Sequence, residues 1–351
     1  PEGTPVFPDE PLLEVHAPIA EAQLAESFVM NPVHLQTVIA SKASRVVTAA
    51  EGRAVVDFGL RRMHGTDAAM KGARAYAVAG VVATSTVLAG KVYEVPITGT
   101  MAHSVIQAHE DERRAFRAFA ELYPGTTLLV DTYDTLDGVG KVVSLARELG
   151  DDFRVGAIRL DSGDLGELAR AARSLLDAGG LEGVEIFASG GLDEERVARL
   201  VADGAPIDGF GVGTRMGTSG DAPSIDMAYK LTEYGGEGRL KLSPGKKILP
   251  GPKQVFRRES DGEAYEDVIA RADEEIDGRP LLEKVMETGS RLAAGRVSLD
   301  AARDLAAEEL ARLPSRVRSL EPADPGYPVE VSEALSRYQR RVIEEHVDPS
   351  E

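Results

Sequence analysis

The 351-residue chain contains no cysteine, which removes disulfides, thiol nucleophiles, iron-sulfur clusters and Cys-ligated zinc together. A reducing, cytoplasmic location is expected. Positive charge is also scarce: 40 Lys and Arg stand against 58 Asp and Glu, a formal net charge of -18. Such a chain repels a phosphate backbone instead of releasing its counterions, so nucleic acid is excluded as the expected partner. Long apolar runs are missing as well. The most apolar stretch, residues 75–90, is flanked by Arg74 and Lys91, interrupted by Thr84, Ser85 and Thr86, and shorter than the ~20 residues of a membrane span. A Met start and a charged-then-apolar leader are lacking too. Pro1 therefore reads as an internal cut with a further N-terminal segment expected upstream. Low complexity and internal repeats are absent, and the length suits roughly two domains or one α/β barrel with an appendage.

Residues 1–30 carry five prolines and an apolar alternation at Leu13, Val15 and Ala17, which predicts extended segments. Asn31-Pro32 has the form of an N-cap and first-turn proline, and Val33, Val38, Ile39 and Val46 follow at helical spacing toward Gly52. From there to residue 216, short apolar runs alternate with amphipathic stretches. Strands are expected at 54–58, 81–84, 127–130, 155–160, 184–188 and 209–212, and helices at 66–79, 110–123, 139–149, 165–177 and 194–202. That alternation specifies parallel strands joined by crossover helices. Beyond Thr218 the rhythm is lost. Lys246 and Lys247 open a loop leading to a hairpin, 253–257 and 264–270, turned at Asp261-Gly262, and helices are expected at 299–313 and 332–347. The expected division is 1–30 as part of a flanking domain, 31–218 as a (β/α) barrel, and 219–351 as a C-terminal region completing the flanking, partly β domain.

Every expected strand ends in polar or glycine residues: Arg61 and Arg62, Ser85, Asp131 to Asp134, Asp161 to Asp164, Ser189-Gly190-Gly191, and Gly213-Thr214. Asp131, Asp161, Ser189 and Gly213 are each about one βα unit apart. In a (β/α)₈ barrel such positions share one mouth, where active sites lie; an open doubly wound sheet would use only those near its switch point. The barrel is preferred. Ser189-Gly190-Gly191 and Gly211-Val212-Gly213-Thr214 end the last two strands, the usual phosphate position in barrels, although a Gly-Gly turn alone is also an ordinary tight connection. Asp131, Asp134, Asp161 and Asp164 beside a phosphate site suit Mg²⁺, with helix capping as the other explanation, strongest for Asp164. His103, in the glycine-rich stretch Gly99 to Ser104, is one of few candidate nucleophiles or proton carriers. Its spacing to His109 does not suit zinc. Arg61, Arg62 and Arg159 could clamp an anionic substrate or form salt bridges in the mouth. Phe58 could stack on an aromatic ring or pack in the core.

Six ordered strings carry a resemblance: Asp57-Phe58-Gly59-Leu60-Arg61-Arg62, Gly99-Thr100-Met101-Ala102-His103-Ser104, Leu129-Val130-Asp131-Thr132-Tyr133-Asp134, Arg159-Leu160-Asp161-Ser162-Gly163-Asp164-Leu165, Ala188-Ser189-Gly190-Gly191-Leu192 and Phe210-Gly211-Val212-Gly213-Thr214. Together, in order and spacing from residue 31 to about 257, they resemble nicotinate phosphoribosyltransferase. The resemblance implies a barrel of the type II phosphoribosyltransferase kind. It also implies formation of nicotinate mononucleotide and pyrophosphate from nicotinate and phosphoribosyl pyrophosphate, coupled to hydrolysis of ATP as co-substrate. On that resemblance His103 is transiently phosphorylated, and Asp131 and Asp161 arrange the Mg²⁺-bound sugar pyrophosphate. Phe58, Arg61, Ser85 and Arg159 surround nicotinate, while Ser189, Gly190, Gly191, Gly213 and Thr214 hold phosphate. A homodimer or higher homo-oligomer is implied, since relatives carry an N-terminal segment whose tyrosine reaches a neighbouring subunit's base pocket. This chain starts beyond that segment. Nicotinamide phosphoribosyltransferase is the nearest alternative, but it is similar except for an Asp at the position of Ser85. Quinolinate phosphoribosyltransferase would need a more basic pocket. A catalytically silent barrel scaffold is the alternative if the missing N-terminal segment is essential; the retained His103, Asp131 and Asp161 argue against it.

Overall fold

The computed structural model describes residues 1–242 and 248–347; Lys246 and Lys247 lie outside them. The chain divides into two compact units, Leu35–Pro223 and a discontinuous unit of Pro1–His34 with Ser224–Glu351. Among the described residues no helix is long and apolar enough to cross a membrane.

Residues 1–18 form neither helix nor strand, but the first helix, α1, begins at Ile19 and runs unbroken to Ala49. The expected start at Asn31 is therefore corrected: Asn31-Pro32 lies inside the helix. Proline there deletes one backbone donor, at a cost of about 3 kcal/mol. The Ala, Glu, Gln and Leu residues ahead of it are good helix formers, and Val38, Ile39, Ala43 and Val46 bury the following face, so propagation outweighs the local break.

The unit Leu35–Pro223 is built on six parallel strands: β1 (Ala54–Asp57), β2 (Ala83–Thr84), β3 (Thr127–Leu129), β4 (Ala157–Leu160), β5 (Glu185–Ser189) and β6 (Gly209–Val212). Their order is β2-β1-β6-β5-β4-β3. The crossovers carry α2 (Thr66–Val78), α3 (Val87–Tyr93), α4 (His103–Gln107), α5 (Glu112–Leu122), α6 (Thr135–Leu149), α7 (Leu165–Ala178) and α8 (Glu194–Ala202), and α9 (Thr214–Thr218) follows β6. Hydrophobic runs became strands because both faces are covered: Val55, Val56, Leu128, Leu129, Ile158, Leu160, Ile186 and Phe210 are all buried. Six strands, not eight, form the curled sheet, a half-barrel. One edge continues past β2 as a single parallel bridge between Thr84 and Ile97. Gly209 and Gly211 on β6 make room for two aromatic rings, because a Cβ at either would stand 2.5 Å from the ring of Phe187 or Phe58 respectively.

In the discontinuous unit, strands Lys253–Ser260 and Glu263–Arg271 pair antiparallel around Asp261 and Gly262, whose φ angles are 52 and 83°, the left-handed pair a two-residue hairpin demands. Arg279–Pro280 adds to one side and Val329–Val331, in parallel, to the other. Val255, Ile269, Leu281 and Leu335 form its apolar centre, the last from the helix Glu333–Val347.

This unit also buries a cation. Arg257, 1% exposed, donates to both oxygens of Asp267 at 3.0 and 2.7 Å, to Glu309 at 3.1 Å and to the carbonyl of Pro5 at 2.9 Å. Phe7 and Tyr327, stacked with centroids 3.9 Å apart, face it. Glu10 accepts from the N–H of Phe7 at 3.0 Å. Burial and the neighbouring Asp267 push its carboxyl up to about 8, so folded Glu10 is protonated at neutral pH. A folded pKa above the unfolded value stabilises fully below about 4.5, and that stabilisation is lost as pH rises toward 8. Glu10→Gln is accordingly expected to flatten the decline in unfolding free energy between pH 5 and 8 and to be more stable than wild type at pH 8. Denaturant titrations across that range with equal slopes for both proteins would contradict a protonated Glu10.

Candidate active site

Parallel neighbours bring the carboxyl ends of the strands to one edge, and Arg159 on β4 ties several of them together. Its Nε donates to Ser189 Oγ at the end of β5 at 2.7 Å, Nη1 to Thr100 Oγ1 at 2.8 Å, and Nη2 to Asp161 Oδ1 at 2.5 Å. Its guanidinium carbon lies 5.2 Å from the centre of the Phe58 ring, close enough for a cation-π contact. Ser189 Oγ also donates to Asp161 Oδ1 at 2.5 Å. Burial works against ionisation of Asp161, but the Ser189 hydrogen bond and the Arg159 charge outweigh it and hold the carboxyl below its ordinary range.

Asp131, just past β3, accepts through Oδ2 from the backbone N–H of Asp161 at 3.2 Å and from Ser162 Oγ at 2.5 Å. Its Oδ1 is buried without a partner. Asp134, Asp164 and Asp193 cap α6, α7 and α8, each accepting from backbone N–H groups of the first turn, so capping accounts for Asp134 and Asp164. His103 does not sit in an open loop: it is the first residue of α4. Its Nδ1 is 3.1 Å from Thr132 Oγ1 and its Nε2 3.8 Å from Asp161 Oδ2, with the side chain 41% exposed.

The structure thus joins Phe58, His103, Asp131, Arg159, Asp161 and Ser189 in one connected set. Arg61 lies in a 3₁₀ turn, Leu60–Arg62, with its side chain exposed. Among the described residues no side-chain hydrogen bond or ion pair ties Arg61, Ser85 or Thr214 to that set. Gly213 packs on the backbone of Phe58, where a Cβ would stand 2.9 Å from the Phe58 carbonyl oxygen. Sequence reasoning missed Thr100, Thr132, Ser162 and Asp57, short polar side chains inside or beside the quoted strings. Only Asp57, a carboxylate closing an apolar strand, left a signal.

No group of three or more His, Asp or Glu suited to a metal occurs among the described residues. What exists is a pair of carboxylates, one with an unsatisfied buried oxygen. That donor set fits Mg²⁺, which binds through one or two carboxylates, water and substrate phosphates.

The turn Ser189-Gly190-Gly191 requires glycine. Gly190 and Gly191 have φ of 92 and 63°, and a Cβ on Gly190 would stand 1.9 Å from the carbonyl oxygen of Asp161. Gly190→Ala is expected to cost about 3 kcal/mol or more through clash plus strain. Gly204→Ala, at φ 63° with open space around it, should cost only about 1–2 kcal/mol. Denaturant unfolding of the two variants, with equal losses as the contrary result, checks this.

The model of the nicotinate phosphoribosyltransferase (NAPRTase) family matches residues 53–249. A nicotinate phosphoribosyltransferase of Mycobacterium tuberculosis is 54% identical over 351 residues, covering 100% of this chain and 75% of that protein. Another, from Bacillus subtilis, is 42% identical over 290 residues, 80% of this chain and 59% of that one. Among solved structures, human nicotinic acid phosphoribosyltransferase superposes with a TM-score of 0.81 at 28% identity, covering 98% of this chain and 81% of that chain.

Proposed function

The chain belongs to the nicotinate phosphoribosyltransferase family, and from that premise we propose that it condenses nicotinate with phosphoribosyl pyrophosphate, releasing nicotinate mononucleotide and pyrophosphate, with coupled ATP hydrolysis. The observation that carries the reading is the cluster in which Arg159 holds Asp161 and Ser189 while facing the Phe58 ring. It sets a flat apolar face beside a fixed cation and an ionised carboxylate, which suits an anionic aromatic base next to a sugar whose anomeric carbon gains positive charge.

In this reading the pyridine stacks on Phe58, and its carboxylate is met by Arg159, by Arg61 and by a hydrogen bond from Ser85. The Ser189-Gly190-Gly191 turn and Gly213-Thr214 offer backbone N–H groups to the 5′-phosphate. As the glycosidic carbon becomes oxocarbenium-like, Asp161, kept ionised by its neighbours, stabilises the developing charge without reorganising. Asp131 through its free Oδ1, and Asp161 through water and substrate, would hold Mg²⁺, whose chemistry is to neutralise the departing pyrophosphate. His103 accepts a phosphoryl group from ATP. With Nδ1 engaged by Thr132, the available nitrogen is Nε2, on the side of Asp161. The enzyme acts in the cytoplasm as a homodimer or larger homo-oligomer. The exposed apolar side chains Val87, Leu88 and Val92 on α3 support a partner surface.

Two substitutions test the assignment. Ser85→Asp should move preference from nicotinate toward nicotinamide, because a carboxylate repels the acid and accepts from the amide; equal kcat/KM for both bases in wild type would remove the argument from Ser85. His103→Ala should abolish ATP hydrolysis while leaving slow, ATP-independent nucleotide formation. Intact coupling in that variant, with no acid-labile phosphate on the peptide containing residue 103, would eliminate the phosphohistidine.

A further inference from the structure

Strand β1 ends in a carboxylate that none of the proposed catalytic steps uses. Asp57 is 1% exposed. Its Oδ1 accepts from the N–H of Gly59 at 2.7 Å and its Oδ2 from the hydroxyl of Thr84 at 2.6 Å. Thr84, the last residue of β2, accepts in turn from the N–H of Thr86 at 3.0 Å, and the N–H of Ser85 donates to the Asp57 carbonyl at 2.9 Å. One side chain therefore braces two turns, the one after β1 that carries Phe58 and the one after β2 that carries Ser85. The backbone ladder already pairs Asp57 with Thr84, so pairing β1 to β2 does not need the carboxylate. Burial raises the pKa of Asp57 against the two hydrogen bonds that favour its charge, and among the described residues its carboxylate oxygens bond to Gly59 and Thr84 and to no Lys or Arg. A buried carboxylate without a cation is costly. What it supplies here is two acceptor oxygens aimed at two turns, where an amide would supply one.

We propose that Asp57 and Thr84 are positioning residues that set the separation of Phe58 and Ser85 and thereby the discrimination between a pyridine carboxylate and its amide. The inference rests on the base site described above. Neither residue touches the base; each acts through its neighbour. Phe58 is steadied from below by Gly211, whose lack of a side chain admits the ring, and from the turn side by the Asp57 to Gly59 bond. Ser85 is steadied on both flanks, at Thr84 and at Thr86, by the single Thr84 hydroxyl.

Thr84→Val keeps the shape and removes the hydroxyl, leaving Asp57 Oδ2 and the N–H of Thr86 unmatched. Loss of hydrogen bonding to a buried charged group should raise KM for nicotinate about tenfold, keep KM for phosphoribosyl pyrophosphate within about twofold, and lower the nicotinate-to-nicotinamide ratio of kcat/KM. Thr84→Ser should restore all three. Asp57→Asn, which retains one acceptor, should show the same selective rise in folded protein and decides the matter if the valine variant does not fold. Wild-type nicotinate KM and wild-type preference in the folded variants overturn the proposal, and so does an equal rise in both KM values, which marks general damage. Ser85→Ala separates the two layers. Unchanged nicotinate KM in Ser85→Ala overturns the base site and the positioning role with it, whereas a rise there beside unaffected Asp57 and Thr84 variants overturns the positioning role alone.

Discussion

The guanidinium of Arg159 has to find acceptors because it is largely withdrawn from water, and those acceptors come from three separate stretches of chain: Thr100 ahead of α4, Asp161 beyond β4 and Ser189 at the end of β5. A buried cation left short of partners is expensive, so each stretch is held where Arg159 can reach it. The same contacts assign the oxygens of Asp161. Its Oδ1 takes both Ser189 and Arg159, which leaves Oδ2 on the side of His103. Asp131 repeats the arrangement, with Oδ2 committed to the backbone of Asp161 and to Ser162 and Oδ1 free. Each carboxylate has one oxygen holding the scaffold and one outside those hydrogen bonds. A carboxylate fixed through one oxygen is already oriented before any substrate arrives.

How much of this can be read from residues depends on whether the controlling interaction is local. The strands were legible because buried parallel strands are short apolar runs: β6 lies where expected at 209–212, and the others differ only at their ends. The helix starts at Asp164 and Asp193 were legible because a cap acts within three residues. Pro32 misled for the opposite reason. A proline after Asn is a strong local start signal, but the helix-forming residues upstream carry α1 straight through it. His103 is similar, since the glycine at 99 marks a loop without marking where the loop stops. Gly211 was legible as important and not as to why: it admits the ring of Phe58, a residue far away in sequence. The brace from Asp57 to Thr84 spans 27 residues and could not be seen until β1 and β2 were known to be neighbours.

The discontinuous unit solves a comparable problem. Arg257 gathers Pro5 from the beginning of the chain, Asp267 from the adjacent strand and Glu309 from a helix. Segments remote in sequence converge there because one buried cation needs acceptors from all of them, and the stacked Phe7 and Tyr327 close off its face. Two carboxylates already serve Arg257, so a third, buried out of water and set beside Asp267, is most stable when neutral. Burial first, and the neighbouring Asp267 second, raise the pKa of Glu10.

Another buried cation, Lys42 on α1, bears on the segment that follows the Ser189-Gly190-Gly191 turn. It donates to Glu194 at 2.7 Å and to Asp221 at 2.6 Å, and Arg45 joins the same Glu194 oxygen at 3.0 Å. Glu194 is the first residue of α8, which starts just after the Ser189-Gly190-Gly191 turn. The turn is therefore fixed from both sides: Ser189 by Arg159 and Asp161 before it, and Asp193 and Glu194 by a helix cap and an ion pair after it. Arg196 Nη1 also donates to the Gly190 carbonyl at 3.2 Å. Two glycines at positive φ would by themselves make a pliable segment. Anchored at both ends they form a rigid one, and rigidity is what a row of backbone N–H groups needs if it is to bind a phosphate without first paying to order itself.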